Sequence, residues 1–185
     1  MEFDDVVNAR KSVRKFKSQK PNWKDIISAF ESALKIPLAG NIPCIKFILV
    51  DDSKLIRQIS KSCQQDFIAN AHYVVVVCSD PTDIIRSYGE IGDRYVAQQA
   101  GAAIEHFLLK LADLGLGGCW VGAYVEDQIK RVLNIPAQIK IEAVIPVGYS
   151  MDKSSVKRKP DLDRSLRFND YSNKFMKKRV KVEAF

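Results

Sequence analysis

The run Tyr73-Val74-Val75-Val76-Val77-Cys78 constrains this chain more than any other feature. Its valines branch at Cβ, which favours an extended strand over a helix. A strand with no polar alternation has no face to give to water, so it belongs in the middle of a sheet with other elements packed on both sides. The run is also far shorter than the ~20 apolar residues of a membrane span. Residues 45–50 and 142–147 read as further strands. Helices are predicted over residues 4–12, 23–35, 51–62, 94–114 and 126–133. In the second of these, Ile26, Ile27, Phe30, Ala33 and Leu34 form the stripe of a half-buried helix. Residues 36–43 read as a loop, because Pro37, Gly40 and Pro43 cannot continue that helix. The longest helical stretch carries Ala97, Ala100, Gly101, Ala102 and Ala103, a small-residue surface that another helix or a ligand can approach closely. Ile104, Phe107, Leu108 and Leu111 then supply its core face, and Gly115 ends it. Strands and helices mix without a β-α-β cadence. The expected fold class is therefore α+β, a sandwich with a central sheet flanked by helices. With no repeat or Gly/Ser linker, residues 1–185 are expected to form a single domain, with 150–185 a basic C-terminal extension.

Charge and cysteine content narrow the class further. The chain carries 29 Lys+Arg against 22 Asp+Glu, a formal net charge of +7, and the excess gathers at residues 10–20 and 153–181. Two basic ends around an apolar middle suit nucleic acid, a phosphate-bearing ligand or simple solubility. The 4 cysteines have no CxxC spacing, and only His72 and His106 accompany them, so a zinc site is not expected. They read as reduced core thiols. The acidic opening Glu2, Asp4, Asp5 lacks an apolar segment behind it, which predicts a cytoplasmic location. GxGxxG after a strand, GxxxxGK[ST], HExxH and GxSxG are all missing. Both histidines sit in apolar settings that suit structural roles, so hydrolysis by a Ser/His/Asp triad is not expected. An enzyme of this composition would leave the hard chemistry to a cofactor.

Three segments carry binding chemistry. In Arg10-Lys11-Ser12-Val13-Arg14-Lys15-Phe16, Arg10, Ser12 and Arg14 can offer two guanidinium forks and a hydroxyl to one small dianion. The plain alternative is a solvated basic run anchored by Val13 and Phe16. In Gly117-Gly118-Cys119-Trp120-Val121-Gly122-Ala123-Tyr124, the glycines let a flat ligand lie against main chain, or merely form a tight turn into a buried strand. Lys157-Arg158-Lys159-Pro160, with Arg164 and Arg167, reads alone as a basic tail.

Taken together and in this order, the segments resemble the nitroreductase family of flavin mononucleotide (FMN) enzymes over essentially the whole chain. The family's RxSxRxF pattern is matched by Arg10, Ser12, Arg14 and Phe16. Its Pro-Ser-x-x-Asn-x-Gln-Pro-Trp-x-Phe signature is matched in part by Pro37-Leu38-Ala39-Gly40-Asn41-Ile42-Pro43-Cys44-Ile45-Lys46-Phe47. Here Leu38, Pro43 and Ile45 replace the usual Ser, Gln and Trp. The Gln-x-Phe-Ile stretch is similar to Gln65-Asp66-Phe67-Ile68. The Leu-Gly-Leu-Gly-x-Cys-Trp-x-Gly stretch is similar to residues 114–122, and Pro-x-Gly-Tyr to Pro146-Val147-Gly148-Tyr149. The tail from Lys157 to Asp163 resembles Lys-x-Arg-x-x-Leu-Glu-Glu.

The resemblance implies a mainly antiparallel sheet flanked by helices and an intertwined homodimer with two FMN sites at the subunit interface, residues 150–185 wrapping onto the partner. It implies that Arg10, Ser12, Arg14, Lys157 and Lys159 hold the FMN phosphate. Arg14 or Lys11 would reach the pyrimidine edge, and Pro37, Leu38, Ala39, Asn41 and Gln65 would line the flavin. A main-chain N–H at Val121–Gly122 would face flavin N5. Tyr124, Phe67 and residues 88–95 become candidates for the wall on the acceptor side. The implied activity is hydride transfer from NAD(P)H through the flavin to a flat electron-poor acceptor (a nitroaromatic, a quinone or another flavin) by a ping-pong cycle, with no side chain acting as general acid and no metal. Two alternatives stand beside it: a specialised flavin-binding relative with a dedicated substrate or little turnover, and a basic nucleic-acid-binding module. The main reading expects neither nucleic acid nor membrane as partner.

Overall fold

The computed structural model describes residues 1–152 and 161–176. In chain order the elements are α1 (Phe3–Ala9), α2 (Trp23–Ala33), β1 (Ile45–Val50), α3 (Ser53–Cys63), β2 (Tyr73–Ser79), α4 (Thr82–Tyr88), α5 (Gly92–Asp113), β3 (Gly117–Gly118), α6 (Glu126–Leu133), β4 (Lys140–Gly148) and α7 (Leu162–Ser165). Single 3-10 turns occur at Ala39–Asn41, Asp66–Asn70 and Gly89–Ile91. The four strands form one antiparallel sheet in the order β1-β2-β4-β3. This is the α+β architecture expected.

The valine run occupies the interior position, paired with β1 on one side and β4 on the other. Val74, Val75, Val76 and Val77 are each 0% exposed. Val75 and Val77 face α2 and α5, packing with Ile26, Ala29, Ile104, Phe107 and Leu111. Val74, Val76 and Cys78 face the other way, against Ile56, Ile59, Ile68 and Ile129 of α3, α6 and the turn between α3 and β2. Burying each such side chain contributes roughly 1.5–3 kcal/mol, so the two-sided strand is the centre of the core. Phe30, Phe47 and Phe107 stack across the first face, with ring centroids 4.8 and 5.2 Å apart about Phe30.

The first helix is shorter than predicted. It stops at Ala9 because Arg10 turns to extended geometry and residues 10–17 lie along the sheet instead. Val13 N–H donates to Gly118 O at 2.9 Å, Lys17 N–H to Tyr149 O at 2.8 Å, and Met151 N–H to Lys15 O at 2.9 Å. This strap needs the glycines beneath it. A Cβ on Gly117 would lie 2.5 Å from Val13 Cγ2, and one on Gly148 would lie 2.8 Å from Phe16 Cδ1. Helix α4 was not predicted. It begins where Asp80 accepts the Thr82 N–H at 3.1 Å.

The chain divides into two compact units, Met1–Ser154 and Ser155–Phe185. The described part of the second holds α7, capped by Asp161, and Arg167 over the Tyr171 ring at 5.9 Å. Among the described residues no helix is long and apolar enough to cross a membrane, and no group of three or more His, Cys, Asp and Glu could hold a metal ion.

Candidate functional site

The strap and β3 bring two of the three sequence segments side by side. Ser12 forms a parallel bridge with Gly118, which sets Ser12, Val13 and Arg14 directly alongside the chain leading to Cys119 and Trp120. Alternation along an extended backbone sends Val13 inward, where it is 2% exposed, and leaves Ser12 and Arg14 exposed. Arg14 extends over the ring of Phe67, 5.9 Å from its centroid. Phe67 is held there by the short helical turn that Gln65 opens. The Gln65 N–H donates to Ser60 O at 3.2 Å, and Ser60 Oγ donates back to Gln65 O at 3.0 Å.

Two of the strap's other basic residues are engaged. Arg10 Nε pairs with Glu105 Oε1 of α5 at 3.2 Å, and Lys11 Nζ donates to Asp152 O at 2.8 Å. Arg14 is thus the strap's open guanidinium, while Arg10 is a cation whose charge Glu105 already balances.

After β3 the chain bridges β4 at Val121. Val121 N–H donates to Val144 O at 3.0 Å and accepts in return, so this amide is fixed in the sheet. Gly122 differs. A Cβ there would meet nothing within 4 Å, and its N–H has no partner among the described residues. Of the Val121–Gly122 pair, Gly122 is therefore the one whose amide is not held in the sheet. Trp120 beside it is 43% exposed. Cys119 is buried, which pushes its thiol pKa up, with the nearby Arg14 charge and Ser12 hydroxyl opposing the shift. The other three thiols are buried as well, and burial raises Cys44, Cys63 and Cys78 to about 11. All four stay protonated near neutrality and offer no nucleophile.

The loop at residues 37–41 lies elsewhere. Gly40 and Asn41 both adopt left-handed backbone, φ 57° and 58°, and the Tyr88 hydroxyl sits directly over Gly40. Pro37, Leu38 and Ala39 line a cavity of about 470 Å³ with Tyr88, Tyr95 and Gln99. This cavity borders α5 at Gln98, Gln99 and Ala102, whereas the cavity behind the strap borders α5 at Leu108 and Ala112. At 1.5 Å of rise per residue, the two stations are on the order of 15 Å apart along the helix.

The structure therefore sets Ser12 alongside Gly118 and Arg14 over Phe67, two residues from Gln65, with Arg10 and Lys11 on the same strap, while Val121 is buried against β4 and Gly122 follows it in the chain. Pro37, Leu38 and Ala39 line a different cavity, beside Gln98, Gln99 and Ala102, with Asn41 in the same loop. Lys157 and Lys159 lie outside the described residues. Among the candidate wall residues, Tyr124 is half-buried and donates its hydroxyl to Ile141 O, so it is part of the core rather than an open wall. His72 and His106 both contact backbone carbonyls, of Ser18 at 2.7 Å and Ser32 at 3.4 Å, as structural histidines do. Two residues went unassigned in the sequence: Glu105, whose charge at the spacing of a helix face gave no sign of its partner, and Gln99, which looked like one more polar residue of α5.

Comparison with known proteins bears on the fold and the family. The profile of the nitroreductase family matches residues 7–65 and 58–149. A protein of Archaeoglobus fulgidus, named as a candidate NADH dehydrogenase/NAD(P)H nitroreductase, is 29% identical over 153 residues, covering 80% of this chain and 85% of its own. The crystal structure of a nitroreductase family protein from Clostridium novyi NT superposes with a TM-score of 0.76 at 27% identity, covering 97% of this chain and all (100%) of that one. An iodotyrosine deiodinase bound to FMN and 3-iodo-L-tyrosine shares the fold, with a TM-score of 0.78 at 23% identity over 91% of this chain and 100% of its own. With its sheet, strap and glycine-flanked strand in the order the sequence implied, the chain belongs to the nitroreductase family.

Proposed function

We propose that this protein is an FMN-dependent oxidoreductase that takes hydride from NAD(P)H and delivers it to a flat electron-poor acceptor such as a nitroaromatic, a quinone or another flavin, in a ping-pong cycle in the cytoplasm. The observation that carries the proposal is the exposed pair Ser12 and Arg14 on a strap held against β3 by the Val13–Gly118 hydrogen bond, with Gly122 further along the chain that leaves β3. Its donor set fits FMN. Arg14 offers a fork for phosphate or for the electron-rich pyrimidine edge, Ser12 offers a hydroxyl, and Gly122 offers a main-chain N–H with no side chain in the way. Bound there, the flavin would supply the redox chemistry, accepting a hydride and later releasing it.

The remaining work falls to the chain's own groups. Arg14 stabilises the negative charge that develops on reduction, held in position by its contact with Phe67. Gly122 fixes the distance and orientation of the ring through its N–H, and proximity of the reactants supplies the rate. Arg10 reaches phosphate by exchanging Glu105, and Lys157 and Lys159 complete the charge. No side chain acts as a general acid.

The loop at residues 37–41 and the strap line different cavities, which fits a homodimer in which the loop of one subunit meets the strap of its partner and residues 150–185 wrap across. Leu38 and Pro43, standing where the family has Ser and Gln, favour a second reading, a dedicated acceptor with slow turnover on general ones.

The test is the visible spectrum after FMN is supplied and excess removed. Retained bands near ~370 and ~450 nm, bleached anaerobically by NADH or NADPH, are the expected result. Arg14→Ala is expected to weaken FMN binding by about 10-fold or more, the usual cost of losing a charge-assisted hydrogen bond. A colourless protein would end the flavin reading.

A further inference from the structure

The helical layer opposite α2 and α5 carries a surface that flavin binding leaves unused. Helices α3 and α6 cover the sheet face formed by Val74, Val76 and Cys78. Val125 N–H donates to Ser62 O at 2.9 Å, which ties the start of α6 to the end of α3. The hollow between the two helices has a volume of about 310 Å³ and is lined by Gln58, Lys61, Ser62, Gln128, Arg131 and Val132. Gln58 and Lys61 stand three residues apart on one face of α3, with Lys54 a turn before them, and Gln128 and Arg131 share a face of α6. All five of these side chains are exposed.

The charge of the hollow is one-sided. Lys61 and Arg131 line it, and no carboxylate does. Among the described residues, Lys54, Arg57, Lys61 and Arg131 take part in no salt bridge, whereas Lys130 on the same helix is paired with Glu126 at 2.8 Å. On the floor, Ser62 Oγ already donates to Gln58 O at 3.0 Å, and half-buried Val132 offers apolar surface. What remains for a partner is two cations on separate helices, two amides that can donate between them, and an apolar strip. Cations set apart in this way suit carboxylates spaced along a chain. Nucleic acid fits less well. No aromatic residue lines the hollow for a base to stack on, and Asp127 stands in the wall of the adjoining hollow on the other side of Arg131, where a continuous phosphate backbone would meet it.

We propose that the hollow between α3 and α6 docks an acidic peptide segment of a partner protein, its carboxylates meeting Lys61 and Arg131 while an apolar side chain between them rests on Val132. Opposite charge would speed the encounter, and salt would weaken it. The site lies on the sheet face away from α5 and does not rest on the flavin reading.

Anisotropy of a rhodamine-labelled acetyl-Glu-Glu-Leu-Glu-Glu-amide, titrated with the full-length protein at low salt, tests the proposal. The acidic peptide is expected to bind at least ~10-fold more tightly than its counterpart with Gln for Glu. Lys61→Glu combined with Arg131→Glu is expected to lower that affinity by at least ~10-fold, with circular dichroism confirming the fold. Lys24→Glu combined with Lys35→Glu makes the same change in net charge on the opposite layer and is expected to have a much smaller effect. Saturating FMN is expected to leave peptide binding unchanged. Equal losses in the two double variants would overturn the proposal by reducing the attraction to net charge, and displacement of the peptide by FMN would overturn it by moving the peptide to the strap. An oligothymidylate of equal charge that bound more tightly than the peptide, and lost its affinity in the Lys61→Glu, Arg131→Glu protein, would overturn it in favour of nucleic acid.

Discussion

At the residue scale, glycine and valine decide where the basic strap lies. Gly117 leaves room for Val13 to cross β3 and bury itself, and the neighbouring residues Ser12 and Arg14 consequently face outward. Gly117→Ala would place a methyl group 2.5 Å from the stiff, β-branched Val13. Overpacking of this kind costs roughly 1–3 kcal/mol. The variant is expected to unfold at lower denaturant with an unchanged slope, and to retain less FMN than wild type although no binding group has been removed. RxSxR was legible as a potential anion site from its residue types alone. That Glu105 neutralises Arg10, and that Arg14 stays open over Phe67, was not, because those partners stand 95 and 53 residues away in the chain.

Elements follow local rules where water and the backbone decide, and depart from them where tertiary bonds intervene. Helix α3 starts at Asp52, whose carboxylate accepts the N–H groups of Lys54 and Leu55 at 2.6 and 3.2 Å. Those bonds, that to Leu55 first, hold its pKa below the ordinary carboxylate value. A group shifted this way adds stability that is fully present above the unfolded pKa, near ~4, and is lost as pH falls through the folded value. Asp52→Ala is therefore expected to lower the melting temperature at pH 7, with the gap between variant and wild type closing as pH is taken below ~4. A gap independent of pH would show that the charge contributes nothing. Helix α4 follows the same logic from Asp80, a capping signal present in Asp80-Pro81-Thr82 that the glycine and tyrosines just beyond obscured. Helix α1 ends early for the opposite reason. Its last predicted turn is pulled into extended geometry by the bonds that residues 13–17 make to β3 and the end of β4.

For the whole molecule, the prediction concerns the assembly of the candidate site. If the strap of one subunit acts with loop 37–41 of its partner, the protein must be a dimer. Sedimentation is then expected to give twice the mass of one chain, 20.9 kDa, at micromolar concentration. A mixing experiment is sharper. Arg14→Ala and Leu38→Asp chains, each with weakened flavin binding, would on refolding together restore one intact site per heterodimer, about a quarter of all sites under random pairing. No recovery of yellow protein would place both elements in separate sites.

The sequence by itself determined the parts that depend on residue type and local spacing. A run of valines with no polar face must lie inside a sheet, prolines and a glycine must break the chain before β1, and six motifs in family order identify the family. Tertiary structure alone decided which of the basic residues pair, that the Val121 amide is bound to Val144, and that, among the described residues, Gly122 N–H and the Gln99 amide have no partner. Burial and pairing are properties of groups brought together from distant parts of the chain, and no periodicity along the sequence encodes which of two similar residues receives a partner.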